Sequence, residues 1–291
     1  MRYQLALTVA AVVAVTASAM TIPVLTSASA AAGTCHGRPA TIVSAGGFVD
    51  GTEGDDVIAA TGQPDLNLVY VRGHGGNDLI CVTGTLSGVD DHNYPEVSGG
   101  PGDDSVFIDT GSDDDFVQVW DDIERLHIST GRGFDKVRLL QGLGAGGTGT
   151  ISGGHGADLQ IRDFSKNVYV DLADKLIVLD GTSKYKVSGF TRVYAQAPRV
   201  VIDGDRHRNA LTASGCRVDV QGGRGDDVLY SVDPPSGCQA RGARLSGQKG
   251  NDRLVGGPHD DVLLGGPGSD RATGMGGRDR CDAEKTTGCE R

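Results

Sequence analysis

The sequence predicts an all-β fold, a parallel β-helix or β-roll solenoid. A short repeat of nine residues runs through residues 247–279. Short-period repeats of this kind stack as solenoid coils, which bury a shared core that no single repeat could form. Glycine accounts for 46 of 291 residues and aromatic residues for 5%, and no segment shows a convincing helical period. The composition therefore indicates a thin, repetitive interior rather than a conventional globular core.

The nine-residue units read GQKGNDRLV, GGPHDDVLL, GGPGSDRAT and GMGGRD. Their sixth position is always aspartate: Asp252, Asp261, Asp270 and Asp279. The predicted turn glycines lie at the first and fourth positions: Gly247, Gly250, Gly256, Gly265 and Gly268. Glycine reaches positive φ cheaply, which allows carbonyl groups to turn inward, and Ca²⁺ prefers carbonyl and carboxylate oxygens. The units therefore predict calcium-binding turns separated by strands of about three residues, with the eighth position facing the interior.

These units resemble the hemolysin-type (RTX) calcium-binding repeat family. The resemblance implies a parallel β-roll in which two nonapeptides make one coil and calcium ions lie between stacked turns. It also implies that Asp252 pairs with Asp270 on one edge and that Asp261 pairs with Asp279 on the other. His259 departs from the family pattern because it replaces the fourth-position glycine. The opening segment 35–43, followed by GTEGDDVI and GGNDLIC, is similar to the start of secreted actinobacterial calcium-binding repeat proteins.

Residues 1–32 have the pattern of a secretory signal peptide. Arg2 precedes an apolar run, Leu5–Ala19, and small residues follow near Ala30. The alternative is a membrane anchor, but the apolar run is shorter than a full membrane span. We therefore expect a secreted mature chain without a membrane span.

The six cysteines all follow the predicted signal peptide, and an oxidising compartment favours disulfides. Fifteen pairings can be drawn for six cysteines. We expect neighbours to pair, with the last pair tying the tail onto the final coil: Cys35–Cys81, Cys216–Cys238 and Cys281–Cys289. No Cys-x-x-Cys pair supports the rival interpretation, a zinc site.

Residues 33–158 carry the glycine–aspartate turn singly. The turns end at Asp56, Asp78, Asp104, Asp135 and Asp158, and the gaps between them are 22, 26, 31 and 23 residues. These gaps predict coils of two or three strands with one glycine turn each. We count Asp56, Asp78 and Asp104 among the candidate calcium ligands.

Residues 159–221 are the least repetitive part and read as a strand-rich lead-in to the repeats. Their order of motifs resembles the segment that precedes the nonapeptides in repeat-containing bacterial exoproteins. The predicted calcium-binding β-roll and its disulfide-tied cap then occupy residues 222–291. The first repeat there ends at Asp227, a further candidate ligand.

Catalytic motifs for metalloproteases, serine hydrolases and nucleotide-binding loops are absent from the sequence. The strongest enzyme-like cluster is Asp113–Asp115 with Asp121, Asp122 and Arg125, which a sugar-cleaving β-helix enzyme could use. A solvated acidic turn is the favoured interpretation of this cluster, and also of Asp90, Asp91 and His92. His74, His155 and His259 lie inside glycine turns and are read as solvent-exposed fillers.

The leading hypothesis is a secreted, non-catalytic protein that folds or rigidifies when it binds extracellular Ca²⁺. The alternatives are a polysaccharide lyase or glycoside hydrolase on a β-helix scaffold, and an adhesion or matrix-binding module. The net charge of −11 opposes nucleic-acid binding. An extracellular protein or polysaccharide partner stays open.

Overall fold

The chain coils into a β-solenoid built of two stacked sheets. The computed structural model describes residues 33–62, 69–86, 96–111, 113–120, 123–141, 146–239 and 241–290. Within them every regular element is a strand, and none is a helix. The strands are β1 (Thr34–Cys35), β2 (Arg38–Pro39), β3 (Ile42–Ser44), β4 (Gly47–Asp50), β5 (Val57–Thr61), β6 (Val69–Arg72), β7 (Leu79–Thr83), β8 (Glu96–Ser98), β9 (Asp104–Asp109), β10 (Phe116–Trp120), β11 (Ile123–Ser129), β12 (Lys136–Leu140), β13 (Thr148–Arg162), β14 (Val168–Asp171), β15 (Leu176–Leu179), β16 (Ser183–Asp203), β17 (Ala210–Arg224), β18 (Val228–Val232), β19 (Arg244–Lys249), β20 (Arg253–Val255), β21 (Val262–Leu264), β22 (Arg271–Thr273), β23 (Arg280–Asp282) and β24 (Lys285–Thr287).

Each coil places one strand in each of two sheets. The first sheet stacks β3, β5, β7, β9, β11, residues 148–152, 184–188, β15, β14, residues 200–203, 217–221, β19, β21 and β23. The second sheet stacks β4, β6, β8, β10, β12, residues 158–162, 192–196, 210–214, β18, β20, β22 and β24. About ten coils result, which confirms the predicted parallel solenoid.

The interior is a narrow column of small and branched apolar side chains. In the C-terminal coils the eighth residue of each repeat supplies it, and Leu254, Leu263 and Ala272 are all fully buried. Strands β20 to β23 have three residues each, and Arg253 pairs with Arg271 eighteen positions later. The strand length predicted from the nonapeptide period is therefore correct, and so are the two repeats per coil that the resemblance to the RTX family implies.

Residues 159–221 also coil, with one departure from parallel pairing. Strand β15 runs antiparallel between β14 and residues 183–186 of β16, whereas β14 pairs in parallel with residues 200–203. A meander is thus inserted in the first sheet without interrupting it.

The three predicted disulfides all form. Cys35 of the β1–β2 hairpin joins Cys81 of the first sheet, with Cα atoms 5.5 Å apart. Cys216 joins Cys238, which ties down the loop after β18. Cys281 joins Cys289 beside β24, so the last coil is closed onto itself.

Several predictions fall on residues outside the described part of the chain. These are the signal peptide 1–32, the group Asp90, Asp91 and His92, and the pair Asp121 and Asp122. Among the described residues, no helix is long and apolar enough to cross a membrane.

Candidate calcium-binding turns

The chain changes sheets through turns at two edges of the solenoid. At the first edge it passes from the second sheet to the first, and at the second edge it passes back. The sixth residue of each turn points inward, and its backbone N–H donates to the side chain at the same position in the next coil. The N–H of Asp252, for example, donates to Oδ1 of Asp270 at 2.8 Å. We call each series of such bonds an aspartate ladder.

The described residues form four aspartate ladders, two at each edge. At the first edge, one ladder joins the Asp56, Asp78 and Asp104 turns to Glu124, and another joins Ala243, Asp261 and Asp279. At the second edge, one joins Leu86, Asp115 and Asp135, and another joins Asn209, Asp227, Asp252, Asp270 and Glu284. Asp252 thus stacks on Asp270 and Asp261 on Asp279, the same pairs at the same two edges that the repeat pattern implies.

Each ladder aspartate is buried, and most keep one carboxylate oxygen without a partner. Asp227, Asp252, Asp261, Asp270 and Asp279 are all at most 2% exposed. Their Oδ1 atoms accept the ladder bonds, but Oδ2 is buried without a hydrogen bond in seven aspartates: Asp78, Asp104, Asp115, Asp227, Asp252, Asp270 and Asp279. A buried polar oxygen without a partner costs about 1–3 kcal/mol, and more when it is charged. A cation beside Oδ2 would remove this cost.

The first glycine of a turn makes room for that oxygen. A Cβ at Gly247, Gly256 or Gly265 would overlap Oδ2 of the aspartate in the same turn, which is Asp252, Asp261 or Asp270. Any side chain at the first position would therefore displace the carboxylate. The glycine and aspartate of a repeat are coupled sterically as well as through the backbone.

The fourth glycine serves the contact between coils. Gly250 has a φ of 143°, and a Cβ there would overlap the carbonyl oxygen of Gly225 in the coil before it. A Cβ at Gly268 would overlap the carbonyl oxygen of Gly250 in the same way. The fourth glycine thus lets successive turns stack backbone on backbone.

Substitution of Gly268 by alanine is expected to destabilise the chain by about 3 kcal/mol, because overpacking against backbone cannot relax cheaply. Gly257→Ala is the matched control, since a Cβ there would lie 3.4 Å from the nearest atom, Oγ of Ser231. Thermal unfolding of both variants measures the difference. Equal losses in the two variants would contradict the stacking role.

Two of the candidate ligands have carboxylates that the protein already satisfies. Oδ2 of Asp56 accepts the backbone N–H and the hydroxyl of Thr52, at 2.6 and 2.9 Å. Oδ2 of Asp261 accepts the N–H of Gly257 at 2.6 Å. His259 in the same turn does not adopt the left-handed region, and the glycine turn stacked on it is that of Gly277 in the next coil. The turns of Asp56 and Asp261 therefore need a cation less than the turns in which Oδ2 has no partner.

The residue before each ladder aspartate forms a second, exposed series. The N–H of Asn251 donates to Asp226 at 2.8 Å, and the N–H of Ser269 donates to Asn251 at 3.0 Å. These bonds run from the later coil to the earlier one, opposite to the buried ladder. In the GDD, NDR and NDL motifs, the sixth residue of the turn therefore points inward and joins the aspartate ladder. The fifth residue points outward and joins the exposed series.

Burial raises the pKa of most ladder carboxyls. Desolvation, with a smaller contribution from neighbouring carboxylates, raises the pKa of Asp227 to about 7 and that of Asp104 to about 6. The same cause, burial first, raises the pKa values of Asp78, Asp115, Asp252, Asp261 and Asp270. Without a cation, the folded chain therefore resists ionising these groups.

This resistance predicts an unusual pH dependence in the presence of a chelator. Because the folded pKa of Asp227 lies above its ordinary value of 3.8, the folded chain holds more protons than the unfolded chain between about pH 4 and 7. The contribution of Asp227 to stability is therefore fully present at low pH and is lost as pH rises through that window. Melting temperatures of wild type and Asp227→Asn, compared across this range in chelator, isolate the effect. A difference between the two that does not change with pH would contradict it.

Two sequence predictions about the turns are corrected by the structure. Asp158 does not end a ladder turn: the turn is one residue shorter, so Ala157 takes the buried position and Asp158 points outward to an ion pair with Arg192. Asp115 does not belong to a solvated acidic run, because it is 2% exposed and joins the ladder to Asp135.

Three ladder residues are not predicted from the sequence, because none of them follows a pair of glycines. Glu124 and Glu284 end two of the ladders by accepting the N–H groups of Asp104 and Asp270, at 2.9 and 2.6 Å. Asn209 opens the longest ladder, and its Oδ1 accepts the N–H of Asp205. Only the strand patterns that follow Asn209 and surround Glu124 could have pointed to them.

An ion at these turns would need backbone ligands as well as carboxylates. Among the described residues, no three histidine, cysteine, aspartate or glutamate side chains converge as a metal-binding group. Calcium accepts carbonyl oxygens readily and takes six to eight ligands. Backbone carbonyl groups lie near the orphaned Oδ2 atoms: a Cβ at Gly222 would overlap Oδ2 of Asp227 and would lie 2.8 Å from the carbonyl oxygen of Gly247. The residues present therefore fit a calcium ion.

Fold and site together define a β-solenoid with stacked, buried aspartate turns. In a comparison with protein families, a model of the RTX calcium-binding nonapeptide repeat matches the chain in four copies, at residues 219–231, 243–272 and 256–284. The chain therefore carries RTX calcium-binding repeats in its C-terminal coils. No curated protein matches the chain significantly. The N-terminal ladders lie outside the matched residues but have the same hydrogen-bond pattern.

Proposed function

We propose that this protein is a secreted, calcium-stabilised solenoid scaffold without catalytic activity of its own. The observation that carries the proposal is the set of buried aspartates whose Oδ2 atoms lack a partner within stacked turns. A protein that buries so many acceptors without donors is completed by a cation rather than by a further hydrogen bond. Calcium, when bound, would supply positive charge at each stacked pair.

The C-terminal coils are the best candidates for calcium binding. Three stacked pairs there join adjacent turns: Asp227 with Asp252, Asp252 with Asp270, and Asp261 with Asp279. In each pair the Oδ2 atom of at least one member has no partner. We therefore propose two to four calcium ions per chain, with the site between Asp252 and Asp270 as the most complete.

The proposal places the protein outside the cell. Three disulfides persist in oxidising compartments and are rare in the cytosol. Extracellular calcium modules bind with dissociation constants of about 10⁻⁴–10⁻³ M, so low cytosolic calcium would leave the turns unfilled until export. The apolar start of the chain fits this route as a signal peptide.

We propose that the protein has no catalytic activity because the carboxylates of the acidic cluster Asp113–Asp115 are held by different partners. Oδ2 of Asp113 accepts the hydroxyl of Thr85, Oδ1 of Asp114 accepts the N–H of Phe134, and Asp115 belongs to a ladder. These three carboxylates have separate structural partners and do not form an acid–base pair. This supports a scaffold over a hydrolase.

Equilibrium dialysis with calcium tests the proposal directly. We expect two to four ions per wild-type chain and at least one fewer in the double variant Asp252→Asn, Asp270→Asn. Asp226→Asn is the matched control, because it removes an exposed carboxylate from the same turns. Binding of less than one ion by the wild type, or equal loss in the control, would overturn the proposal.

A further inference from the structure

The outward face of the second sheet is unexpectedly basic for an acidic chain. Its side chains form three rows that alternate with buried residues along each strand. Eight cations stand in these rows: Arg72, Lys136, Arg138, Arg162, Arg192, Arg253, Arg271 and Lys285. Among the residues that the structure describes, only three carboxylates accompany them: Asp50, Glu96 and Asp158. We call this surface the basic face; its charge is opposite in sign to the chain's net −11.

The centre of the basic face holds its cations against aromatic rings. The guanidinium of Arg138 lies 4.8 Å from the ring centroid of Phe116, and its N–H groups donate to Oε1 of Gln160 and Oε1 of Gln118 at 3.0 and 3.1 Å. Arg162 lies 5.3 Å from the ring of Tyr194. These contacts fix the guanidinium planes, so little side-chain entropy would be lost on binding an anion.

Three buried N–H donors at the same place have no acceptor in the described part of the chain. They are Nε2 of Gln118, Nε1 of Trp120 and Nε of Arg162. Gln118 is fully buried, and its amide orientation is set by the bond from Arg138 to its oxygen. Gln118 and Trp120 are two residues apart on β10, and Arg162 lies in the same row as Trp120, two strands along the sheet.

All three unpaired groups are donors, so N–H groups without acceptors lie beneath the cations of the basic face and add to its positive potential. Each unmade bond to a buried donor costs about 1–3 kcal/mol. A ligand on the face cannot reach these buried atoms, but the positive charge of the side-chain row above them favours a negatively charged ligand. This preference is separate from that of the aspartate ladders, which lack a cation.

We propose that the basic face binds an extended acidic polysaccharide, centred on β10, β12, residues 158–162 and residues 192–196. Parallel strands about 4.8 Å apart repeat the same side-chain positions along the solenoid axis, which suits a linear polymer with a regular repeat. Carboxylates of the polymer meet the arginines and Lys136, and the partly exposed ring of Trp120 lies beside the apolar faces of the sugars.

Charge density favours a polysaccharide over a nucleic acid. The turns that border the sheet carry exposed carboxylates at both edges, including Asp55, Asp103, Asp114 and Asp226. A duplex carries one charge per about 1.7 Å, and this dense charge would be repelled by such borders. A uronate polymer has far fewer charges for its length, and its carboxylates can be confined to the central rows.

Calorimetric titration of the calcium-loaded full chain with hexagalacturonate, an oligomer too short to gel with calcium, tests the proposal. Its fully methyl-esterified form is the neutral probe, and oligothymidylate is the nucleic-acid probe. Lys136→Gln with Arg162→Gln removes two cations from the basic face. Lys184→Gln with Lys186→Gln is the matched control, because it removes two cations from the outward rows of the first sheet.

We expect hexagalacturonate to bind wild type and the control variant equally, and the basic-face variant about tenfold or more weakly, since 1.4 kcal/mol is a factor of ten. Melting temperatures in calcium establish that each variant is folded; if the first variant unfolds, Lys136→Gln alone replaces it. The proposal is overturned if hexagalacturonate does not bind wild type, if the neutral ester binds as well, if both variants lose affinity equally, or if oligothymidylate binds more tightly. Because calcium is saturating throughout, these outcomes do not depend on whether the ladders bind it.

Discussion

Addition of calcium to the chelated chain is expected to raise its melting temperature by roughly 10–30 °C. At about 10 mM calcium and dissociation constants of about 10⁻⁴–10⁻³ M, each site contributes about 1.4–2.7 kcal/mol. Three stacked pairs in the C-terminal coils then give about 4–8 kcal/mol, and each kcal/mol is worth about 2–4 °C in a chain of this size. Thermal melts followed by circular dichroism measure the shift.

Magnesium at the same ionic strength is the control for this experiment. It is smaller, requires a nearly octahedral shell and releases water reluctantly, so we expect a much smaller rise than with calcium. Equal melting temperatures in calcium and in chelator would contradict the prediction, because the narrow apolar interior would then stabilise the fold without an ion.

The double variant Asp252→Asn, Asp270→Asn is expected to be more stable than wild type in chelator and to respond weakly to calcium. Asparagine keeps the Oδ1 acceptor for the ladder N–H and replaces a buried, partly ionised oxygen with a neutral amide. Asn209 shows that the ladder accommodates an asparagine: its N–H donates to Asp227, its Oδ1 accepts the N–H of Asp205 within the turn at 2.9 Å, and its Nδ2 is buried without a partner. At about pH 7.5 we expect a net gain of about 1 kcal/mol, because a buried charge without a partner costs more than a buried neutral amide without one.

The sign of this stability change in chelator distinguishes aspartates that bind calcium from aspartates that only accept hydrogen bonds. If the carboxylates served only as hydrogen-bond acceptors, the variant would match wild type in chelator and keep the response to calcium. Asp226→Asn in the exposed series is the control and is expected to stay within about 0.5 kcal/mol of wild type in both conditions. Urea unfolding in calcium and in chelator measures all four differences.

The nine-residue period was enough to predict the C-terminal coils because every position in it has one geometric role. Position eight fills the interior, as Leu254 and Leu263 do, and position six turns inward at the edges. The two repeats per coil, which the resemblance to the RTX family implies, then stack Asp252 on Asp270. The disulfide pairs were also predicted, because each cysteine pairs with its nearest neighbour in the sequence.

The N-terminal ladders were harder to predict because their coils vary in length. Asp115 is preceded by two further aspartates and not by a glycine pair, so the sequence could not distinguish a ladder residue from a run of solvated charge. Asp158 has the correct position in its motif, but the pairing of Lys136 with Asp158 shortens the turn by one residue. Register of this kind is set by neighbouring strands, which local sequence does not encode.

The outward rows of the second sheet show a second limit of sequence reasoning. Lys136, Arg162 and Arg192 are far apart in the sequence and have no motif in common. Only the register of β12, β13 and β16 brings them onto one face. The net charge alone predicts an acidic surface and does not indicate that the outward face of the second sheet is basic.

The most direct test of the central claim is a crystal structure of the mature chain grown in calcium chloride, with anomalous data that locate the ions. We predict anomalous density beside the Oδ2 atoms of the stacked pair Asp252 and Asp270, and loss of that density in Asp252→Asn, Asp270→Asn. Density only at the exposed carboxylates of Asp226 and Asp260, or a fully ordered C-terminal array without calcium density, would contradict it.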